Sequence, residues 1–247
     1  MDKCVVRQAI KEAGSQNVIG YEILFQASSD DLYSKTEYSS ADTIINFMMQ
    51  NSSKIFSELP TFLTFTPALL FRNLPKIFEK DKLVIQIEDN LIVHPLALPM
   101  IKKYKGEGYR LAINDFQFSP KYLDMLEYAD FIRISVNGRQ QKEKASLDNV
   151  VKMAQAFGKK CIATGVNSKE EFQLAADLKV EYMEGNYIAE TLVTKANKVE
   201  YLQGTFFQLV IAISKDEPEI DELEDIISRD AGLTYALLKL VNSAYFA

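Results

Sequence analysis

The chain has 247 residues, 47% hydrophobic and 25% charged, enough to bury one large core or one domain with a smaller companion. Its formal net charge of −6, with no Lys/Arg-rich block, argues against an electrostatic nucleic-acid surface. No apolar run approaches the roughly 20 residues that span a bilayer, and "MDKCVVRQAI" has no signal-peptide pattern. A cytoplasmic chain without membrane contact is expected.

Eight short apolar stretches read as strands: "CVVRQAI", "VIGYEILF", "TFLTFT", "KLVIQI", "YRLAIN", "DFIRIS", "KCIATG" and "VEYMEG". The connection between the first two, "KEAGSQN", is turn-rich and too short for a helical crossover, so these strands form an antiparallel hairpin. Later gaps mostly hold helical patterns: "SADTIINFMMQ", "PLALPMIKKYK", "PKYLDMLEYA", "SLDNVVKMAQAF" and "SKEEFQLAADL". In "SLDNVVKMAQAF", Leu147, Val150, Val151, Ala154 and Phe157 recur at helical spacing, with Ser146 placed as the cap. Strands alternating with helices are parallel strands with crossovers, and eight of them predict an α/β, TIM-like (β/α)8 barrel whose first strand is antiparallel. Cys4 and Cys161 lie in two of the strand stretches and read as separate buried thiols of a reducing compartment.

In such barrels the carboxyl ends of the strands build the functional rim. Those ends carry Gln8, Glu22, Thr64, Gln86, Asn114, Asp115, Arg133, Ser135, Thr164, Asn167 and Glu184. Strand ends are often polar only because they exit into solvent, but Glu22, Gln86 and Arg133 interrupt otherwise apolar strands, and the set suggests a pocket. His94, before Pro95, reads as a loop or helix-entrance residue. Met48 and Met49, beside Ile44, Ile45 and Phe47, read as helix packing.

After "TLVTKAN" the strand rhythm stops. Ile220, Leu223, Ile226 and Ile227 mark the apolar face of one helix, and Leu233, Leu237, Leu240 and Val241 that of another. The domain reading is therefore a barrel over 1–197 and a C-terminal all-helical segment over 198–247.

The strand ends, taken in order, resemble those of the EAL family, which hydrolyses the bacterial messenger cyclic di-GMP. "RQAI", "GYEILFQ", "TFLTFTP", "QIEDN", "NDFQ", "IRIS", "ATGVN" and "YMEGNYIAE" stand at the family's motif positions over residues 4 to 192. Family hydrolysis uses two divalent cations held by several anionic oxygens, so the resemblance implies Mg²⁺ or Mn²⁺ only where the site is active. Glu22 and Asp115 match family acids. Thr64 stands for Asn, Gln86 for Glu and Asn114 for Asp. Arg133 stands for Lys, Thr164 and Asn167 for two glutamates, Glu184 for Gln, and Gln26 for the arginine that grips a phosphate.

Counting charges at those positions gives the expectation of no catalytic residue, no metal and no enzyme. The eleven positions Gln8, Glu22, Gln26, Thr64, Gln86, Asn114, Asp115, Arg133, Thr164, Asn167 and Glu184 would then line a vestigial pocket. Cyclic di-GMP is not expected as a partner, and the chain would act in bacterial signalling through protein partners. The alternatives are a receptor that binds cyclic di-GMP without cleaving it, and a metal-dependent phosphodiesterase.

"IISRDAGLTYALLKLVNSAYF" resembles the opening of an HDOD domain, an all-helical module of bacterial signalling proteins, with Phe206, Phe207, Leu209 and Val210 in its first helix. The resemblance implies that the module continues beyond "NSAYFA". The chain then reads as a fragment whose last helices cover their apolar faces on the barrel or on a second copy, as a homodimer.

Overall fold

The computed structural model describes residues 3–26, 58–65, 67–116, 119–139, 143–189, 192–196 and 205–241. The predicted helix at 40–50, with Met48 and Met49, and Gln117 lie outside them.

Two long strands open the chain, β1 (Lys3–Glu12) and β2 (Val18–Gln26), paired antiparallel with Gln8 opposite Glu22. Six parallel strands follow: β3 (Thr61–Thr64), β4 (Leu83–Ile87), β5 (Arg110–Asn114), β6 (Phe131–Ser135), β7 (Lys160–Thr164) and β8 (Tyr182–Glu184). Each pairs with its predecessor, and β8 pairs antiparallel with the second half of β1, which closes the eight-stranded barrel. The expected α/β barrel with an antiparallel first strand is the observed fold. A ninth strand, β9 (Leu192–Ala196), was not predicted; it pairs antiparallel with Lys3–Arg7 of β1, beyond the reach of the three-residue β8.

Side chains alternate across each strand, so two cores result. Inside the barrel, Ile10, Phe62, Val84, Ala112, Phe131 and Ile162 form one apolar layer, with Phe62 and Phe131 edge to face at 5.2 Å. Gly20 makes room for it: a Cβ there would lie 2.6 Å from the Pro60 carbonyl and 3.1 Å from the Phe62 ring. Outside, Leu63, Ile85, Leu111, Ile113, Ile132, Cys161 and Ala163 face the helices.

Those helices are α1 (Pro67–Phe71), a 3-10 turn (Leu74–Ile77), α2 (Asp89–Ile92), α3 (Ala97–Gly106), α4 (Pro120–Leu126), α5 (Lys144–Ala156) and α6 (Lys169–Asp177). Ser146 does not cap α5. The helix begins at Lys144 with Glu143 in the cap position, which puts Ser146 inside the first turn. Phe157 ends α5 and is 61% exposed rather than part of its apolar face. Ser168 does cap α6, accepting from the Glu171 amide while the Glu171 carboxylate accepts from the Ser168 amide.

The helical segment comprises α7 (Thr205–Ile213), α8 (Ile220–Ser228) and α9 (Ala231–Val241), stacked in order. Val210 of α7 joins the outer barrel core, Ile226 and Leu233 are buried, and Ile220, Tyr235, Leu237 and Leu238 are exposed. Among the described residues no helix is long and apolar enough to cross a membrane. Cys161 is a free, buried thiol whose pKa burial pushes up to about 12; the side chain of Cys4 lies outside the described residues. The His94 ring stacks near Phe71, and its Nδ1 accepts from the Leu96 amide at 3.1 Å just before α3, a helix-entrance role.

Candidate functional site

The polar residues of the strands sit two positions beyond the apolar lumen layer. Thr64 follows Phe62, Gln86 follows Val84, Asn114 follows Ala112, Arg133 follows Phe131, Thr164 follows Ile162 and Glu184 follows Tyr182. Period-two alternation therefore stacks them as the next layer toward the strands' carboxyl ends. Glu22 joins from β2. Gln8 also reaches this layer, although β1 runs the other way: its amino-terminal half faces the mouth, and Gln8 lies two residues before Ile10.

Six residues of this layer form one connected network. Thr64 Oγ1 donates to Gln86 Oε1 at 2.6 Å, and Gln86 Nε2 donates to Glu22 Oε1 at 2.9 Å. Arg133 Nη1 donates to that same carboxylate oxygen, and Nη2 donates to Glu184 Oε2 at 2.7 Å. A longer contact of 3.4 Å ties Nη1 to Asn114 Oδ1. Arg133, Glu22 and Glu184 have side-chain exposures of only 5%, 9% and 2%.

Charge is divided unequally within this trio. Burial opposes ionisation of Glu22, but the Arg133 guanidinium and hydrogen bonds from Glu184, Arg133 and Gln86 outweigh it and hold the carboxyl well below the usual range. Burial pushes Glu184 well above it, with the neighbouring Glu22 charge adding to the rise and Arg133 opposing it. The ionised form is therefore favoured at Glu22 and the protonated form at Glu184. Burial also works against the Arg133 charge, yet Glu184 and Glu22 raise its pKa.

Above this floor lies a more open mouth. Asn167 Oδ1 accepts from the Asn186 amide at 3.0 Å, and Gln8 Nε2 reaches Asn186 Oδ1 at 3.5 Å. Asp115 is exposed and adopts a left-handed conformation (φ 47°) that turns the chain off β5. Gly185 has φ +151°, and a Cβ there would lie 2.1 Å from the Val166 carbonyl, so only glycine lets the β7 and β8 loops approach. Glu171 braces the same region: its carboxylate accepts from the amides of Gly138, Asn167 and Ser168. Burial disfavours its charge, but these backbone hydrogen bonds prevail and lower its pKa.

The sequence-derived residues Gln8, Glu22, Thr64, Gln86, Asn114, Arg133, Thr164 and Glu184 are thus gathered in one layer, with Asp115 and Asn167 at its rim. Gln26 ends β2 four residues beyond Glu22, and its side chain lies outside the described residues. Sequence reasoning did not single out Asn186 or Glu171. The capping-box spacing Ser168-Lys169-Glu170-Glu171 signals the latter; nothing local signals the former.

A divalent pair needs several anionic oxygens free to coordinate. Here Glu22 and Glu184 both turn an oxygen to Arg133, Gln86 presents its amide nitrogen to Glu22, and a fixed guanidinium would repel an incoming cation. Among the described residues no group of three or more His, Cys, Asp or Glu is arranged to hold a metal ion. The side chains as placed do not fit the family's metal pair.

Comparison with known proteins sets this site in context. The chain is 28% identical to the uncharacterized protein YuxH of Bacillus subtilis over 98% of its length, and 24% identical to the cyclic di-GMP phosphodiesterase CdgJ of Vibrio cholerae over 97%. It spans 60% and 56% of the lengths of those relatives. Among solved structures, the EAL enzyme Bd1971 bound to cAMP and cyclic di-GMP matches 76% of the chain and 61% of its own, with a TM-score of 0.59 at 16% identity. The Klebsiella pneumoniae BlrP1 complex with calcium and cyclic di-GMP matches 79% and 59%, with a TM-score of 0.58 at 16% identity. At these identities the structural likeness shows the fold.

Two expectations are corrected by these findings. The chain was expected to be no enzyme, and cyclic di-GMP was not expected as a partner. CdgJ, alignable over nearly the whole chain, is named a phosphodiesterase, and the fold neighbours Bd1971 and BlrP1 were solved with the dinucleotide. The physical reason lies in counting charges ligand by ligand. Replacing a carboxylate by an amide weakens a metal contact, but it leaves the mouth polar.

The EAL domain family matches residues 1–191 and the HDOD domain family residues 200–247. The chain therefore belongs to the EAL domain family, as a signal-transduction protein related to cyclic di-GMP phosphodiesterases.

Proposed function

We propose that the chain serves cytoplasmic cyclic di-GMP signalling by recognising the dinucleotide at the carboxyl-end mouth of its barrel. The observation that carries this reading is the polar layer directly above the apolar lumen, to which all eight strands contribute a residue and in which side chains from β2, β3, β4, β5, β6 and β8 are hydrogen-bonded to one another. The amides of Gln8, Asn114, Asn167 and Asn186 each offer a donor beside an acceptor, the pattern that complements purine edges. Asp115 adds an exposed acceptor pair, and the rigid floor beneath keeps the ordering cost of binding low. The buried free thiol of Cys161 suits a reducing compartment.

Isothermal calorimetry with cyclic di-GMP, with Mn²⁺ and with a chelator, tests the reading, with chromatography of the same samples reporting any linear product. Saturable binding is expected. Absence of binding under both conditions overturns the proposal, and product formation would make the mouth a working phosphodiesterase like the named relative.

A second reading concerns output. Ile220, Tyr235, Leu237 and Leu238 stay exposed on α8 and α9, which supports contact with a protein partner or a second copy. Sedimentation of the chain against its Leu238→Asp variant checks self-association.

A further inference from the structure

We infer that Arg133 is the built-in cation of this site, its guanidinium standing between Glu22 and Glu184 in place of a divalent metal ion. Two observations and one chemical contrast carry this. The guanidinium bridges two acids from β2 and β8 through separate nitrogens, so an oxygen of each acid is already turned to a positive charge. A lysine ammonium is a compact point charge, whereas the planar fork of arginine spans two carboxylates at once. The neighbours comply with a fixed cation: Gln86 gives its donor to the shared Glu22 oxygen while Thr64 holds the Gln86 carbonyl oxygen in place.

The arrangement is expensive. Taking three ionisable groups out of water costs several kcal/mol per ion before their attraction is counted, and Arg133 Nε is buried without a hydrogen-bond partner among the described residues. A merely space-filling layer would be better served by apolar side chains, like those one layer below. What the arginine supplies is a permanent positive charge that no chelator removes. A ligand at the mouth then meets a floor whose electrostatics are independent of metal supply.

This inference deepens the proposed recognition of cyclic di-GMP and rests on it only for its consequence for the nucleotide; the cation assignment is tested separately. Mn²⁺ alone, titrated into the full chain and followed by electron paramagnetic resonance, is expected to show no saturable binding. The affinity for cyclic di-GMP is expected to change less than about two-fold between excess chelator and millimolar Mn²⁺. In Arg133→Lys the ammonium reaches one acid at a time, and Mn²⁺ is expected to raise the thermal midpoint of this variant more than that of the wild type. Saturable Mn²⁺ binding by the wild type that Glu22→Gln abolishes would overturn the assignment, as would a ten-fold loss of nucleotide affinity in chelator. Failure of the nucleotide to bind under any condition would remove the proposed recognition but leave the Mn²⁺ experiments decisive. If the Arg133→Lys protein does not fold, the wild-type titration and its Glu22→Gln control still decide.

Discussion

Two ion-pair clusters in this molecule are mirror images in charge and opposites in setting. In the barrel one cation, Arg133, lies between two acids, Glu22 and Glu184, with side-chain exposures of 5%, 9% and 2%. Beneath α7 one acid, Asp216, lies between two cations, Lys76 and Lys103, with exposures of 63%, 24% and 32%. Sequence inspection would rate the two alike. The difference is water. In the barrel each charge depends on its partners because nothing else solvates it, whereas around Asp216 solvent competes for every contact.

The sharpest way to break the comparison is to remove the buried cation. Arg133→Met leaves Glu22 and Glu184 facing each other without a counter-charge, and urea denaturation is expected to show a loss of about 3–5 kcal/mol. A loss no larger than that of an exposed charge would mean that the barrel network is as dispensable as the surface one.

The mouth above the network comes next. Gly185→Ala requires a Cβ where the Val166 carbonyl already stands, at 2.1 Å, and a φ that alanine rarely adopts. About 1–3 kcal/mol of backbone strain is expected, together with weaker cyclic di-GMP binding, because Val166 and Asn167 must shift. Unchanged calorimetric affinity would separate the loop from recognition.

Glu184→Gln sharpens the contrast by touching charge without touching shape. A glutamine is nearly isosteric with the protonated acid, so the loss of stability near pH 4.5 is expected to stay below about 1 kcal/mol. The pH dependence then carries the test. The folded pKa of Glu184 is raised above its ordinary 4.5, so its contribution is fully present below that value and is lost as pH rises through the folded pKa. Glu22 has the opposite sign, contributing above 4.5 and losing its contribution as pH falls through its lowered folded value. Denaturation from pH 4.5 upward should therefore show the variant gaining on the wild type. A constant difference across that range would mean that Glu184 is ionised in the folded protein.

Much of this architecture was legible in the sequence because it depends on local repetition. Short apolar runs alternating with helical patterns marked the strands, the short "KEAGSQN" connection marked the antiparallel hairpin, and polar residues breaking apolar runs marked Glu22, Gln86 and Arg133. What was not legible depends on contacts distant in sequence. Arg133 meets acids 111 and 51 residues away, and no local pattern says that one guanidinium serves both. Counting lost carboxylates treated each ligand position alone and led to the mistaken dismissal of enzyme class and nucleotide. Ser146 is not the cap because α5 already begins two residues before it, at Lys144, with Glu143 in the cap position.

The smallest effect belongs to the exposed cluster, and its smallness is itself a physical statement. The ammonium groups, Lys76 before Lys103, hold Asp216 below its ordinary range, so whatever the cluster contributes is present above pH 3.8 and lost as pH falls through the lowered value. Removing the charge with Asp216→Asn strands neither lysine. Lys76 keeps Glu107 at 3.5 Å, Lys103 keeps the Asn73 side chain at 3.0 Å, and both remain in contact with water. The docking of α7 rests instead on burial of Val210 in the outer barrel core. Hydrogen exchange over 205–241 is therefore expected to match the wild type, and the slight change in thermal midpoint should fade as added salt screens the pair. A large change that resists salt would show that the Asp216 cluster is desolvated, and the two clusters would then differ in charge pattern alone.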